Sequence, residues 1–220
     1  MKYKSVFDII GPVMVGPSSS HTAGAIRIGQ IARKIFGKEP EEIEVHFYGS
    51  FAETYKGHAT DVAVIAGLMG FATDDIRVGS SIEIAEEKGI RIHFYKEQAH
   101  TEHPNTVGLT LKSAQDRMEI VGISVGGGAV QITELDGFPL KLSGENPAMV
   151  ILHKDTYGVV ASVAAVLMRH KINISHMEVS RADKGSDALM VIETDQIVSQ
   201  EGIDEITGED HVKRVIILDE

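Results

Sequence analysis

Hydrophobic positions in the first part of the chain recur at the spacing of a helix and then switch to the spacing of a strand. Ile28, Ile31 and Ile35 share one helical face, and Gly37 follows where a left-handed cap is expected, which predicts a helix from about His21 to Phe36. Ile43, Val45 and Phe47 then alternate with Glu44, His46 and Tyr48, the period of two that marks a strand with one buried face. A second helix is expected after Asp61, through Val62, Ile65 and Met69. Alternation in Val107, Leu109 and Leu111, and again in Met118, Ile120 and Gly122, with Ala114 to Asp116 between, predicts a hairpin.

The turn formers Ser143, Gly144, Asn146 and Pro147 then cluster. They place a linker at 141–147 between a domain of residues 1–140 and a domain of residues 148–220. The second domain has the more regular pattern. A strand over Ala148–Leu152 precedes a helix over Gly158–His170, a strand over Asn173–Arg181, a turn at Lys184-Gly185 and a strand over Ala188–Glu193. A helix near Ser199–Ile206 and a last strand over Val212–Leu218 complete the order βαββαβ, the ferredoxin-like arrangement. The expected fold class is α/β in the broad sense, α+β in detail.

Composition narrows the function classes. Of 220 residues, 43% are apolar and 24% charged, as in folded globular proteins, so disorder and low complexity are excluded. Lys and Arg number 21 against 32 Asp and Glu, and the net charge of −11, without a basic run, argues against nucleic acid as a partner. Cysteine is absent, which removes disulfides, thiolate nucleophiles and any cysteine-ligated metal centre built from this chain alone. The longest apolar stretches, Val62 to Ala72 and Val159 to Met168, are shorter than the roughly 18 to 20 residues of a membrane span, so no membrane partner is expected. Lys2 and Lys4 are followed by Asp8, Pro12 and Pro17, which interrupt the apolar segment, so no secretory leader is read and a cytoplasmic location is expected.

Three polar constellations carry the chemistry of the first domain: Gly16-Pro17-Ser18-Ser19-Ser20-His21-Thr22-Ala23-Gly24, Gly57-His58-Ala59-Thr60-Asp61, and His103-Pro104-Asn105-Thr106. Ser18, Ser19, Ser20 and Thr22 around His21 at a helix start offer hydroxyl donors and free N–H groups to one point, a cradle for a carboxylate. A nucleophilic serine is the weaker reading, because neighbours in sequence such as Ser20 and His21 are poorly placed to act as nucleophile and base. His58 and Thr60 precede another apolar helix, where Asp61 either caps the helix or orients the His58 imidazole, and an oriented imidazole is a competent base near neutral pH. His58 is favoured over His21 as that base, because a helix start disfavours a protonated His21, whereas Asp61, three residues after His58, is expected as a carboxylate partner that stabilises the His58 imidazolium. Asn105, which donates and accepts, suits an amino-acid ligand. His100, Glu102 and His103 have no dedicated metal spacing, so no metal ligand is assigned. Ser124-Val125-Gly126-Gly127-Gly128 lacks the Lys-Ser/Thr of a phosphate loop and reads as a tight bend.

Together the three constellations resemble the beta chain of the iron–sulfur-dependent L-serine dehydratases, along essentially the whole chain. Ala59 stands where GHGTD is frequent in the family. The resemblance implies an allosteric-substrate-binding-like first domain, similar to that of some D-3-phosphoglycerate dehydrogenases, and conversion of L-serine to pyruvate and ammonia. It also implies a [4Fe-4S] cluster that polarises the substrate hydroxyl, and with no thiolate here that cluster belongs to a partner alpha chain. Residues 148–220 resemble an ACT domain, a small-ligand sensor that pairs with a second copy. On that resemblance His153, Asp155 and Gly158 at the first strand-to-helix turn, with Asn173 from a neighbouring copy, hold an amino acid. The plain alternatives are that Asp155 caps the helix and Asn173 turns the chain. A purely regulatory serine-binding subunit is the competing reading of the whole, and a free-standing amino-acid sensor is a third.

Overall fold

The computed structural model describes residues 12–219, so Lys2, Lys4 and Asp8, on which the reading of the N-terminus rests, lie outside the described residues. The chain divides after Asp136 into two compact units.

In the first unit, helix α1 spans Gly24–Phe36, with Ile28, Ile31 and Ile35 buried on one face. It ends at Gly37, whose φ of 79° lets its N–H return to Arg33 O. The expected start at His21 proves to be a π-helical turn, Ser19–Ala23. There the N–H of Ala23 reaches Ser18 O and that of Gly24 reaches Ser19 O, one residue wider than an α-helical step. Strand β1, Glu42–Tyr48, buries Ile43, Val45 and Phe47 as the alternation requires.

Helices α2 (Gly49–Thr54) and α3 (Thr60–Leu68), a 3₁₀ turn (Ile76–Ser80) and helix α4 (Ser81–Glu87) lead to strand β2, Arg91–Lys96, parallel to β1. Strands β3 (Asn105–Lys112), β4 (Arg117–Gly126) and β5 (Ala129–Leu135) follow, and the strands of this unit lie in the order β2-β1-β3-β4-β5. The expected hairpin is β3–β4, with Lys112 opposite Arg117. Its buried face forms cross-strand rows Ile43–Leu111–Met118, Val45–Leu109–Ile120 and Phe47–Val107–Gly122. A Cβ on Gly122 would lie 2.7 Å from the Ile28 side chain, so this glycine admits α1.

The second unit opens with strand β6, Phe138–Leu142, where Ser180 Oγ donates to Pro139 O. The turn formers at 141–147 fall within this unit, where Ser143 and Asn146 bond the Glu193 carboxylate. Strand β7 (Ala148–Lys154), helix α5 (Val159–Arg169), strands β8 (Ile174–Arg181) and β9 (Asp187–Thr194), helix α6 (Gln200–Thr207) and strand β10 (Val212–Leu218) follow. The sheet order β10-β7-β9-β8 is that of the expected βαββαβ fold. Met149, Ile151, Met190 and Ile192 face Val159, Val163 and Val166 of α5 in one apolar core.

Helices α1 and α3 cross at backbone contact. A Cβ on Gly67 would lie 2.0 Å from Ile26 O, and one on Gly29 2.4 Å from Val64 O. Neither carbonyl can swing aside as a side chain would. Gly67→Ala is therefore expected to destabilise the chain by about 1–3 kcal/mol, read as a lower urea midpoint. Gly79→Ala, where nothing lies within 4 Å of the new methyl, serves as the neutral control.

Candidate functional site

Because β1 and β4 run one way and β3 the other, the C-terminal ends of β1 and β4 meet the N-terminal end of β3 at one end of the sheet. Beyond β1, Gly49 turns with a φ of 50° and pairs with Asn105, and Ser50 N–H donates to Pro104 O at 2.8 Å. Asn105 Nδ2 donates to Ser124 O at 3.3 Å. Ser124 Oγ in turn packs against Gly24, where a Cβ would come within 2.2 Å of it. The third constellation is thereby tied through β1 and β4 to the start of α1.

His21 is at the centre. Its backbone N–H donates to Ser18 Oγ at 3.2 Å, its Nδ1 lies 3.0 Å from Ser20 Oγ, and its Nε2 lies 3.1 Å from Ser50 Oγ. Ser18 Oγ and Ser20 Oγ are 3.3 Å apart. The next residue, Thr22, donates its hydroxyl to His58 O at 3.1 Å, which brings the second constellation alongside the first. The His21 and His58 rings are tilted at 4.8 Å between centroids, and the Phe51 ring meets His21 edge-on at 5.0 Å. Burial, and then the charge His58 would carry, lower the His21 pKa from its ordinary value, so this imidazole is held neutral.

Two expectations change. Ser20 and His21, expected to be poorly placed for each other, are within hydrogen-bond reach because the widened turn bends the serine hydroxyl back onto its neighbour's ring. Asp61, expected to cap α3 or orient His58, does not pair with His58. One of its oxygens accepts Val62 N–H at 2.9 Å, and the other is 2.9 Å from Lys56 Nζ. The carboxylate is buried and the lysine exposed, and their bond raises the Lys56 pKa. The pair clasps the loop that carries His58. His58 Nδ1, Thr60 Oγ1 and Ser124 Oγ are buried with no hydrogen-bond partner. Ser19 contributes its carbonyl, which accepts Gly24 N–H. Ser50 and Lys56 were missed by sequence reasoning. The Gly-Ser step directly after a strand was the available signal for Ser50, and no spacing marked Lys56. Among the described residues no group of three or more His, Asp or Glu side chains is arranged to hold a metal ion, and His103 Nδ1 accepts Asn105 N–H.

Residues 5–88 match the serine dehydratase beta chain family, and residues 148–210 match the ACT domain family. Over 207 residues, 94% of each chain, the sequence is 58% identical to the probable L-serine dehydratase, beta chain, of Bacillus subtilis. The chain belongs to the serine dehydratase beta chain family. The L-serine dehydratase beta chain of Peptoniphilus asaccharolyticus is 33% identical over 198 residues, 89% of each chain. D-3-phosphoglycerate dehydrogenase of Synechocystis is 26% identical over 182 residues, which span 82% of this chain and 33% of that protein.

In the ACT half of this family member, Asp155 does not cap α5, which has no side-chain cap. Asp155 instead accepts the Gly185 N–H at 2.8 Å and an Arg181 N–H at 3.3 Å, and the Gly185 bond first, then Arg181, holds its carboxyl below the usual range. Gly158, with φ of 94°, opens α5 nearby, and His153 is buried with Nδ1 against Lys154 O and Nε2 unpartnered. β7 and β8 both pair antiparallel with β9, so Asn173 lies at the opposite end of the sheet from Asp155. Its Nδ2 donates to Asp195 at 2.6 Å. Within one chain the four candidate ACT residues are not gathered.

At the start of α3, Ala59 holds the left-handed region with a φ of 54°. A Cβ there is strained. Ala59→Gly is expected to raise stability by about 0.5–1 kcal/mol despite the greater freedom of glycine in the unfolded chain, and urea unfolding measures it.

Proposed function

We propose that this chain is the beta subunit of a two-chain L-serine dehydratase acting in the cytoplasm. Loss of water from L-serine leaves aminoacrylate, which tautomerises to an imine, and water then releases pyruvate and ammonia. The observation that carries the reading is that three polar clusters remote in sequence converge at one end of the sheet, with two imidazoles 4.8 Å apart. The two beta-chain relatives supply the reaction class.

The iron–sulfur cluster of the resemblance does not fit this chain, which offers no thiolate. We assign it to an alpha chain and confine this chain to binding substrate and moving a proton. The Thr60 hydroxyl, buried without a partner, and the second N–H and carbonyl of the Asn105 amide are suited to the amino acid's carboxylate and ammonium. Ser18, Ser19, Ser20 and Thr22 shape the turn around them.

His58 takes the Cα proton. Its Nδ1 is not committed to the chain, whereas both ring nitrogens of His21 face serine hydroxyls. A neutral His21 also leaves the neighbouring His58 free to become the imidazolium without like-charge opposition. Asp61 supports this through the loop it shares with Lys56. The ACT half, paired with a second copy, is the regulatory part, where His153, Asp155 and Gly158 with the copy's Asn173 take an amino acid.

The purified chain is expected to be free of iron and inactive toward L-serine, and to gain pyruvate formation on addition of the alpha chain. Within that complex, His58→Ala is expected to lower kcat by about 10² to 10⁴ with cluster absorbance and thermal unfolding unchanged. If His58→Ala shifts only the response to effectors, the chain is a purely regulatory serine-binding subunit.

A further inference from the structure

The hydrogen bonds around His21 have a direction, and it ends on a residue given no role above. We propose that Ser50 is a substrate-contacting hydroxyl, aimed by a one-way chain of hydrogen bonds that runs from Ser18 through Ser20 and the His21 ring. This rests on the reading of the site as the L-serine site.

One link fixes the argument. The His21 backbone N–H can only donate, so Ser18 Oγ accepts at 3.2 Å. Ser18 keeps its own hydrogen, and Ser20 Oγ, 3.3 Å away, is its hydrogen-bond neighbour in the chain. If Ser18 donates there, Ser20 donates to His21 Nδ1 at 3.0 Å. A neutral imidazole carries one proton, which then sits on Nε2 and donates to Ser50 Oγ at 3.1 Å. Each of the first two hydroxyls both accepts and donates, so each bond polarises the next.

The opposite direction is poorer. Ser18 would accept twice while its own hydrogen went unused, and the Ser50 hydrogen would be consumed on Nε2. In the favoured direction the unused hydrogen is that of Ser50. It lies where ligand oxygens are expected, because Ser50 N–H on Pro104 O fixes this residue beside Asn105. The Phe51 ring packs edge-on against the His21 ring at 5.0 Å between centroids. The ligand chemistry is an oxygen acceptor, the carboxylate or hydroxyl of an α-amino acid. His21 is then a positioning residue that acts through Ser50.

The test begins on the full chain alone, with ¹⁵N-labelled histidine and His21→Gln to assign the resonances. The expected result is a neutral His21 with the proton on Nε2. Ser50→Ala should bring in the Nδ1–H tautomer, and Ser20→Ala, which removes the donor to Nδ1, should raise the His21 pKa. In the complex with the alpha chain, Ser50→Ala should raise KM for L-serine about two- to tenfold, more than it lowers kcat, with Ser50→Thr restoring both tautomer and KM. A wild-type proton on Nδ1 overturns the direction of the chain, and an unchanged KM in Ser50→Ala overturns the substrate contact. If the wild-type complex fails to turn over L-serine, the reaction assignment falls, while the tautomer still decides the direction independently.

Discussion

The crossing of α1 and α3 at Gly29 and Gly67 is the constraint on which the first unit depends. Where two backbones meet without intervening side chains, the helices are held at a separation and offset that leave little freedom to slide. Both helices then start at the same end of the sheet, which puts Thr22 Oγ1 on His58 O and the two imidazoles side by side, tilted against each other. Gly122 serves the same end from below, by admitting Ile28 and seating α1 on β4. Close packing thus does the work of bringing distant polar segments together, and the hydrogen bonds refine what it brings.

The two histidines share that space unequally. Burial, and then the charge His58 would carry, lower the His21 pKa from its ordinary value. His21 is bound on both sides by serine hydroxyls, and His58 keeps Nδ1 uncommitted on a loop clasped by Lys56 and Asp61. One ring is therefore oriented and neutral, and the other keeps a ring nitrogen without a partner. With no cysteine in the chain, this arrangement is built from hydroxyls, imidazoles and a carboxylate, with no thiolate.

In the ACT half, the side chains read as ligand contacts are also pieces of the scaffold. Asp155 ties the β7 end to the β8–β9 turn through Gly185, and Asn173 is fastened to Asp195. Because the Asp155 pKa is depressed on folding, the stabilisation this carboxylate gives is present above the ordinary aspartate range and is lost as pH falls through its folded value. A ligand that engages Asp155 has to compete with, or share, a bond that holds a hairpin turn.

The local pattern by itself determined most of the elements. Ile28, Ile31 and Ile35 with Gly37 fixed α1, the alternation of Ile43, Val45 and Phe47 fixed β1, and the βαββαβ order of the second unit was legible because each element there has its own period and turn. The short α2 and α4 escaped because six or seven residues make fewer than two helical turns, β2 because it has no buried face, and β5 and β6 were not read either. The candidate residues His21, His58, Thr60 and Asn105 were visible as residue types in polar runs. Who pairs with whom was not. Only the tertiary structure took Asp61 from His58 and gave it to Lys56, set Ala59 at positive φ, and brought Ser50 to His21 from 29 positions away. Periodicity reports which face of an element is buried, whereas hydrogen bonds of about 3 Å depend on where one element ends relative to another, and that is decided by packing.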